Sequence, residues 1–349
     1  MKRLTRYQAC LVLFASMGIS IGPLAQAASA TAGNAKTGSI KAANVKTSSI
    51  ATGPGAPSPV SNLLGNRLPL VSAPSHDTLA QATNAESAAN RALTEGIELI
   101  GQGNVDAAII LFEQATTLAP ELATTHYNLG LAYRQKQQLQ AAAASFWQAT
   151  QADPAFALAY VNLGAALLEG GNFDQAQDYL NRAIELEPEL GLARYNMGLL
   201  QRRQGNWRAA INSMDLAIAY SPTAPEPQYQ VGLIYQEQGK YDLARIAFES
   251  ALAIDNRYPE AHYNLGVTLV RLGELEAAVS TFSQAYDNAP NFAHAYYAQG
   301  LALADLQRYE NAKTQLQSAI NLYVAQNNSQ WANIAQRQID YIESLQTGQ

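Results

Sequence analysis

Residues 123–156 read ATTHYNLGLAYRQKQQLQAAAASFWQATQADPAF, and the next 34 residues, 157–190, read ALAYVNLGAALLEGGNFDQAQDYLNRAIELEPEL. Laid over one another, Gly130 falls on Gly164, Ala142 on Ala176, Phe146 on Leu180, Ala149 on Ala183 and Pro154 on Pro188. The register extends both ways without insertion, through Gly96, Gly130, Gly164, Gly198, Gly232, Gly266 and Gly300. Twelve residues after each glycine stands an alanine, from Ala108 to Ala312, and seven further on another, from Ala115 to Ala319. Between the two lies a large apolar residue: Phe112, Phe146, Leu180, Met214, Phe248, Phe282 or Leu316. Proline closes five units (Pro120, Pro154, Pro188, Pro222, Pro290), with Asn256 and Val324 in the other two places. An uninterrupted period of this length means that each unit is one small module stacked on the next.

The chemistry of the unit is that of two helices of about twelve residues. Short turns at Gly103, Gly171, Gly205, Gly239 and Gly273 join them. The first-helix glycine and the first alanine of the second helix are expected to face each other, letting the backbones approach, with the large apolar residue beside that contact. The closing proline ends the second helix. Helices this short are marginal in water alone, so stability must come from stacking.

This pattern strongly resembles the tetratricopeptide repeat, over about residues 89–326. Seven units follow: 89–122, 123–156, 157–190, 191–224, 225–258, 259–292 and 293–326. The resemblance implies an all-α, right-handed superhelical α-solenoid of seven helix pairs. One departure is the aromatic expected four residues before the glycine, where this chain has Ala92, His126, Tyr160, Arg194, Gln228, His262 and Tyr296. The solenoid is expected to span 77–326, with Asp77 capping a helix that begins near Thr78. Residues 327–349 read as a C-terminal capping helix. Trp331, Ile334, Ala335, Ile339, Ile342 and Leu345 make its apolar stripe, opposite Gln336, Arg337, Asp340 and Glu343.

The N-terminal quarter is of another kind. Residues 1–30 read as a secretory signal: Lys2, Arg3 and Arg6, an apolar run from Ala9 to Ile21, then the cleavage candidates Ala25-Gln26-Ala27 and Ala28-Ser29-Ala30. The protein is therefore expected to be exported to the periplasm or cell envelope, an uncleaved N-terminal anchor being the alternative. No stable membrane insertion is expected after cleavage. Residues 31–76 are low in complexity and read as a disordered tether. Within it, residues 60–71 form a more apolar island (Leu63, Leu64, Leu68, Leu70), either plain linker or a docking peptide for the chain's own groove. The single cysteine, Cys10, lies in the signal, so no disulfide is expected.

The net charge of −6 conceals a split: residues 1–86 carry seven Lys/Arg against two Asp/Glu, and residues 87–349 fifteen against twenty-six. An acidic body repels phosphate backbones, which argues against nucleic acid as a partner. The four histidines stand apart, and no nucleophile set, phosphate loop or metal-ligand spacing occurs, so neither catalysis, a cofactor nor a metal is expected.

The resemblance places the ligand groove on the free face of each first helix. Three before the glycine that face carries Tyr127, Tyr195, Tyr229, Tyr263 and Tyr297, with Leu93 and Val161 in the remaining units. Two before come Asn128, Asn162, Asn196, Gln230 and Asn264, and one after come aliphatics such as Leu131 and Leu199. Amides carry both donor and acceptor and suit an extended peptide backbone. Arg134, Arg202, Arg203 and Arg271 are candidate anchors for an acidic side chain or C-terminus. The Lys and Asn carboxylate clamp of chaperone-binding relatives is missing. The sequence thus reads as a non-enzymatic scaffold for a protein or peptide ligand. Envelope self-association as a homo-oligomer and glycan or peptidoglycan recognition stay open as alternatives.

Overall fold

The computed structural model describes residues 70–71 and 84–347. The signal, the tether apart from Leu70 and Val71, and the helix start near Thr78 lie outside them. Among the described residues all regular structure is helical, in fifteen consecutive helices. Seven pairs run α1 (Asn84–Gly101) with α2 (Val105–Leu118), α3 (Ala123–Gln135) with α4 (Leu139–Ala152), α5 (Ala157–Glu169) with α6 (Phe173–Leu186), and α7 (Gly191–Arg203) with α8 (Trp207–Tyr220). They continue as α9 (Glu226–Glu237) with α10 (Tyr241–Ile254), α11 (Pro259–Leu272) with α12 (Leu275–Asn288), and α13 (Ala293–Asp305) with α14 (Tyr309–Ala325), before the single α15 (Ser329–Thr347). Each helix packs on the next in sequence, and first helices of neighbouring pairs also touch, as a solenoid requires.

The turn inside each pair is set by one left-handed residue. Gly103, Gly171, Gly205, Gly239 and Gly273 take φ of +71° to +82°, where glycine pays no Cβ penalty. Repeats two and seven lack the glycine, and Gln137 and Gln307 adopt φ of 61° and 60° in its place. In all seven turns the following residue donates its N–H to the carbonyl five back, as in Asn172 to Leu167 at 2.8 Å and Gln138 to Tyr133 at 2.9 Å. This is the helix-ending hydrogen bond that a left-handed residue permits.

Within a pair the glycine is a seat for the large apolar residue more than for the alanine. A Cβ added at Gly130 would lie 2.6 Å from Phe146 Cε1, and one at Gly232 2.5 Å from Phe248 Cε1. Where Leu180, Met214 or Leu316 replaces the ring, the alanine carbonyl is also near, 3.2 Å from such a Cβ at Gly164, Gly198 or Gly300. The seven large residues and the fourteen alanines are buried.

The departure four residues before the glycine has a structural use. His126 Nε2 donates to the Pro120 carbonyl at 2.9 Å, His262 Nε2 to Asn256 O at 2.9 Å, and Arg194 to Pro188 O at 3.3 Å. A polar residue there ties down the loop that enters its own repeat, satisfying a carbonyl no helix can pair.

At the C-terminal end α15 covers repeat seven with Ala332, Ile334, Ala335, Ile339 and Ile342 buried, while Leu345 at the end of the stripe stays exposed. Trp331 stacks on Tyr323 at 5.5 Å and meets His294 and Tyr297 edge-on at 4.8 and 5.6 Å.

Candidate peptide-binding groove

The amide row occupies equivalent positions on α3, α5, α7, α9 and α11. Four of its members are fixed in the same way: the side-chain nitrogen donates to the carbonyl four residues earlier, at 2.9 Å, from Asn128 to Thr124, Asn162 to Leu158, Asn196 to Leu192 and Asn264 to Glu260. One N–H and the oxygen then remain, and their use differs from repeat to repeat.

At Asn162 both are consumed by the preceding repeat. Its second N–H donates to the Tyr127 hydroxyl at 3.2 Å, and Arg134 Nη1 donates to its oxygen at 3.3 Å. Gln230 repeats half of this pattern two units on, its oxygen accepting from Arg202 Nη1 at 2.8 Å. Asn264 donates to the Tyr229 hydroxyl at 3.0 Å. There the arginine position is held by Gln236, which donates instead to the Asn264 carbonyl and to Thr268 Oγ1, at 3.1 and 2.9 Å.

Asn128 is used differently. Val71 donates its backbone N–H to Asn128 Oδ1 at 3.2 Å, and Asn128 Nδ2 donates to the Val71 carbonyl at 2.9 Å. Leu70 and Val71 pack against the cluster that contains Tyr127, Leu131 and Leu163. One side-chain amide thus grips both backbone polar groups of a residue 57 positions away. The rest of the island, 60–69, lies outside the described residues.

Asn196 is the exception. It is 3% exposed, and among the described residues its Oδ1 has no hydrogen-bond partner.

The tyrosine row differs from the surface that the sequence suggests. Tyr127 is 0% exposed and Tyr195, Tyr229 and Tyr297 are buried too. Two of these rings are sandwiched: Tyr127 sits 5.8 Å from Phe146 and 4.9 Å from Phe156, and Tyr229 5.8 Å from Phe248 and 5.0 Å from Tyr258. The second partner is the residue that closes the same repeat and caps the next first helix, so the ring is covered where one pair joins the following one. Burial pushes the Tyr127, Tyr195 and Tyr229 hydroxyls up, keeping them neutral partners for the amides. The Tyr195 hydroxyl makes no well-formed hydrogen bond, although the Gln230 amide stands beside it. Leu131 and Leu199 are buried beneath the row, and Tyr263 is partly buried between Phe282 and Phe292.

Two of the four arginines are already spoken for. Arg134 pairs with Glu169 at 2.5 Å and Arg202 pairs with Glu237, each reaching the next repeat's first helix. Their charge is neutralised where a ligand carboxylate was expected to find it. Arg271 lies 5.9 Å from the Tyr241 ring centre. Arg203 is exposed and makes no ion pair among the described residues. His294, a groove position by register, is instead wedged into the C-terminal cap, with Nδ1 2.7 Å from the Tyr323 hydroxyl, and burial lowers its pKa to about 4. Among the described residues no His, Cys, Asp and Glu cluster is able to hold a metal ion, and no helix is long and apolar enough to cross a membrane.

Family models described as tetratricopeptide repeat match residues 93–157, 157–190 and 263–320, and one described as TPR repeat matches 232–273. The chain is a tetratricopeptide repeat protein. Solved structures agree on the fold. A tetratricopeptide repeat protein from Parabacteroides merdae superposes with a TM-score of 0.55 at 16% identity, covering 72% of this chain and 99% of that one. PilF of Pseudomonas aeruginosa gives 0.54 at 17%, with 63% and 98% covered. PilW, a type IV pilus biogenesis factor, gives 0.54 at 21%, with 61% and 97% covered. Among curated protein sequences none matches this repeat protein.

Proposed function

We propose that this tetratricopeptide repeat protein is a non-enzymatic scaffold that holds an extended segment of another polypeptide along the first-helix face, in the periplasm or cell envelope. The observation that carries the reading is the two-point grip of Asn128 on the backbone N–H and C=O of Val71. It depends on backbone atoms alone, so it suits segments of varied sequence, while Tyr127, Leu131 and Leu163 favour aliphatic side chains beside it. Arg134 and Arg202 are tied to Glu169 and Glu237, so neither is free to anchor a ligand carboxylate. Export is inferred from the N-terminal basic and apolar pattern.

The test is in-cell photocrosslinking from a groove position such as Leu199, followed by mass spectrometry of the adducts. One or a few discrete polypeptides, lost in an Asn128→Ala, Asn196→Ala variant of unchanged helical content, is the expected result. Adducts only with a second copy of the chain, or with glycan strands, would replace this reading by one of its rivals.

A further inference from the structure

Whether a groove amide is open is decided by two residues of the preceding repeat, three before and four after its glycine. Repeat two offers Tyr127 and Arg134, and Asn162 is saturated by them. Repeat four offers Tyr195 and Arg202, and Gln230 is taken by Arg202. Repeats one and three offer only aliphatic groups, Leu93 with Ile100 and Val161 with Leu168. Neither pair has a hydrogen-bonding atom to give, so Asn128 and Asn196 are left over. At Asn128 the vacancy is filled by Val71; at Asn196 the oxygen is buried and has no partner among the described residues. An orphaned buried acceptor is costly, and native chains keep one where something else supplies the donor.

The footing is also repeated. Tyr195 and Leu199 stand 68 residues after Tyr127 and Leu131, against which Leu70 and Val71 pack. One side differs: Glu226, half buried, stands in the place of Leu158. We propose that Asn196 is a second peptide-reading position, which takes the backbone N–H of an extended partner segment bearing an aliphatic side chain there and no acidic residue toward Glu226. The inference deepens the groove-binding reading and rests on it. It assigns Asn128 to the chain's own segment and Asn196 to the partner, and it makes Asn162 a brace between repeats.

The test is fluorescence anisotropy of a labelled synthetic peptide of residues 60–73, titrated with the full chain and with four variants whose helical content is checked by circular dichroism. Asn196→Leu is expected to weaken binding about tenfold, the loss of one backbone hydrogen bond in a dry site. A double variant, Val161→Tyr with Leu168→Arg, supplies the missing partners from repeat three and should weaken binding as much while raising the melting temperature. Asn162→Leu should lower the melting temperature and leave binding within about threefold. If Asn196→Leu and the double variant bind as the parent does while Leu199→Lys abolishes binding, the peptide lies in the groove but Asn196 does not read it, and the inference falls alone. If the peptide fails to bind, or Leu199→Lys has no effect, the groove-binding reading falls as well.

Discussion

The junction between repeats two and three and the junction between repeats three and four share one frame and end in opposite states. Both have the glycine under a large side chain, a left-handed turn and an asparagine pinned to its own helix. At the first, Tyr127 and Arg134 reach across and use every remaining atom of Asn162; at the second, Val161 and Leu168 leave Asn196 with an unanswered oxygen. The consensus positions therefore set the shape, and two variable positions decide whether an amide is a brace or an opening. On the reading proposed above, that separation lets a rigid repeat carry a site without any loop to hold it.

The largest expected effect breaks what the two junctions share. Gly130→Leu drives a side chain into the Phe146 ring and should cost about 3 kcal/mol or more in a thermal melt. A different kind of junction, between repeat seven and α15, sharpens the contrast because it is closed by aromatic rings around a buried imidazole. With the His294 pKa lowered to about 4 from the usual 6.5, its contribution is complete above pH 6.5 and is lost as pH falls toward 4. The full loss is about 3 kcal/mol. Melts from pH 7 to 4.5 should show a steeper decline for the parent than for His294→Phe.

Next in size is the direct comparison. Asn162→Leu strands the Tyr127 hydroxyl and an Arg134 hydrogen bond and should cost about 2 kcal/mol, whereas Asn196→Leu removes an orphan and should cost under about 1 kcal/mol or stabilise. Equal losses in the two melts would erase the distinction. Smallest is Gln137→Gly, which relieves a left-handed glutamine in the turn of repeat two and should raise stability by about 0.5–1 kcal/mol. The same change at Gln307 should act alike, as both turns keep the same closing hydrogen bond.

Much of this was legible in the residues, and what was not has a physical reason. The period alone gives the pairs, and five glycines mark their own turns. Gln137 and Gln307 carry no such mark, and only the register shows that a left-handed residue must stand there. The amide row was visible because it sits two before each glycine. The burial of the tyrosines is not marked in the pattern, because the residues that cover them, Phe156, Tyr258 and Phe292, close the repeat and are brought over the ring by the seating of the next helix that they cap. The same holds for Arg134 and Arg202, whose partners Glu169 and Glu237 lie 35 residues on. Contacts between repeats depend on how one pair sits on the next, which a pattern read within each repeat does not contain.

Side-chain amide resonances of Asn162 and Asn196, assigned through the Leu variants and followed by NMR as the peptide of residues 60–73 is added, test the central claim most directly. The account predicts that the Asn196 signal moves with saturation while that of Asn162 stays in place, its atoms being already engaged. A shift at Asn162 with none at Asn196, or equal shifts at both, would contradict it.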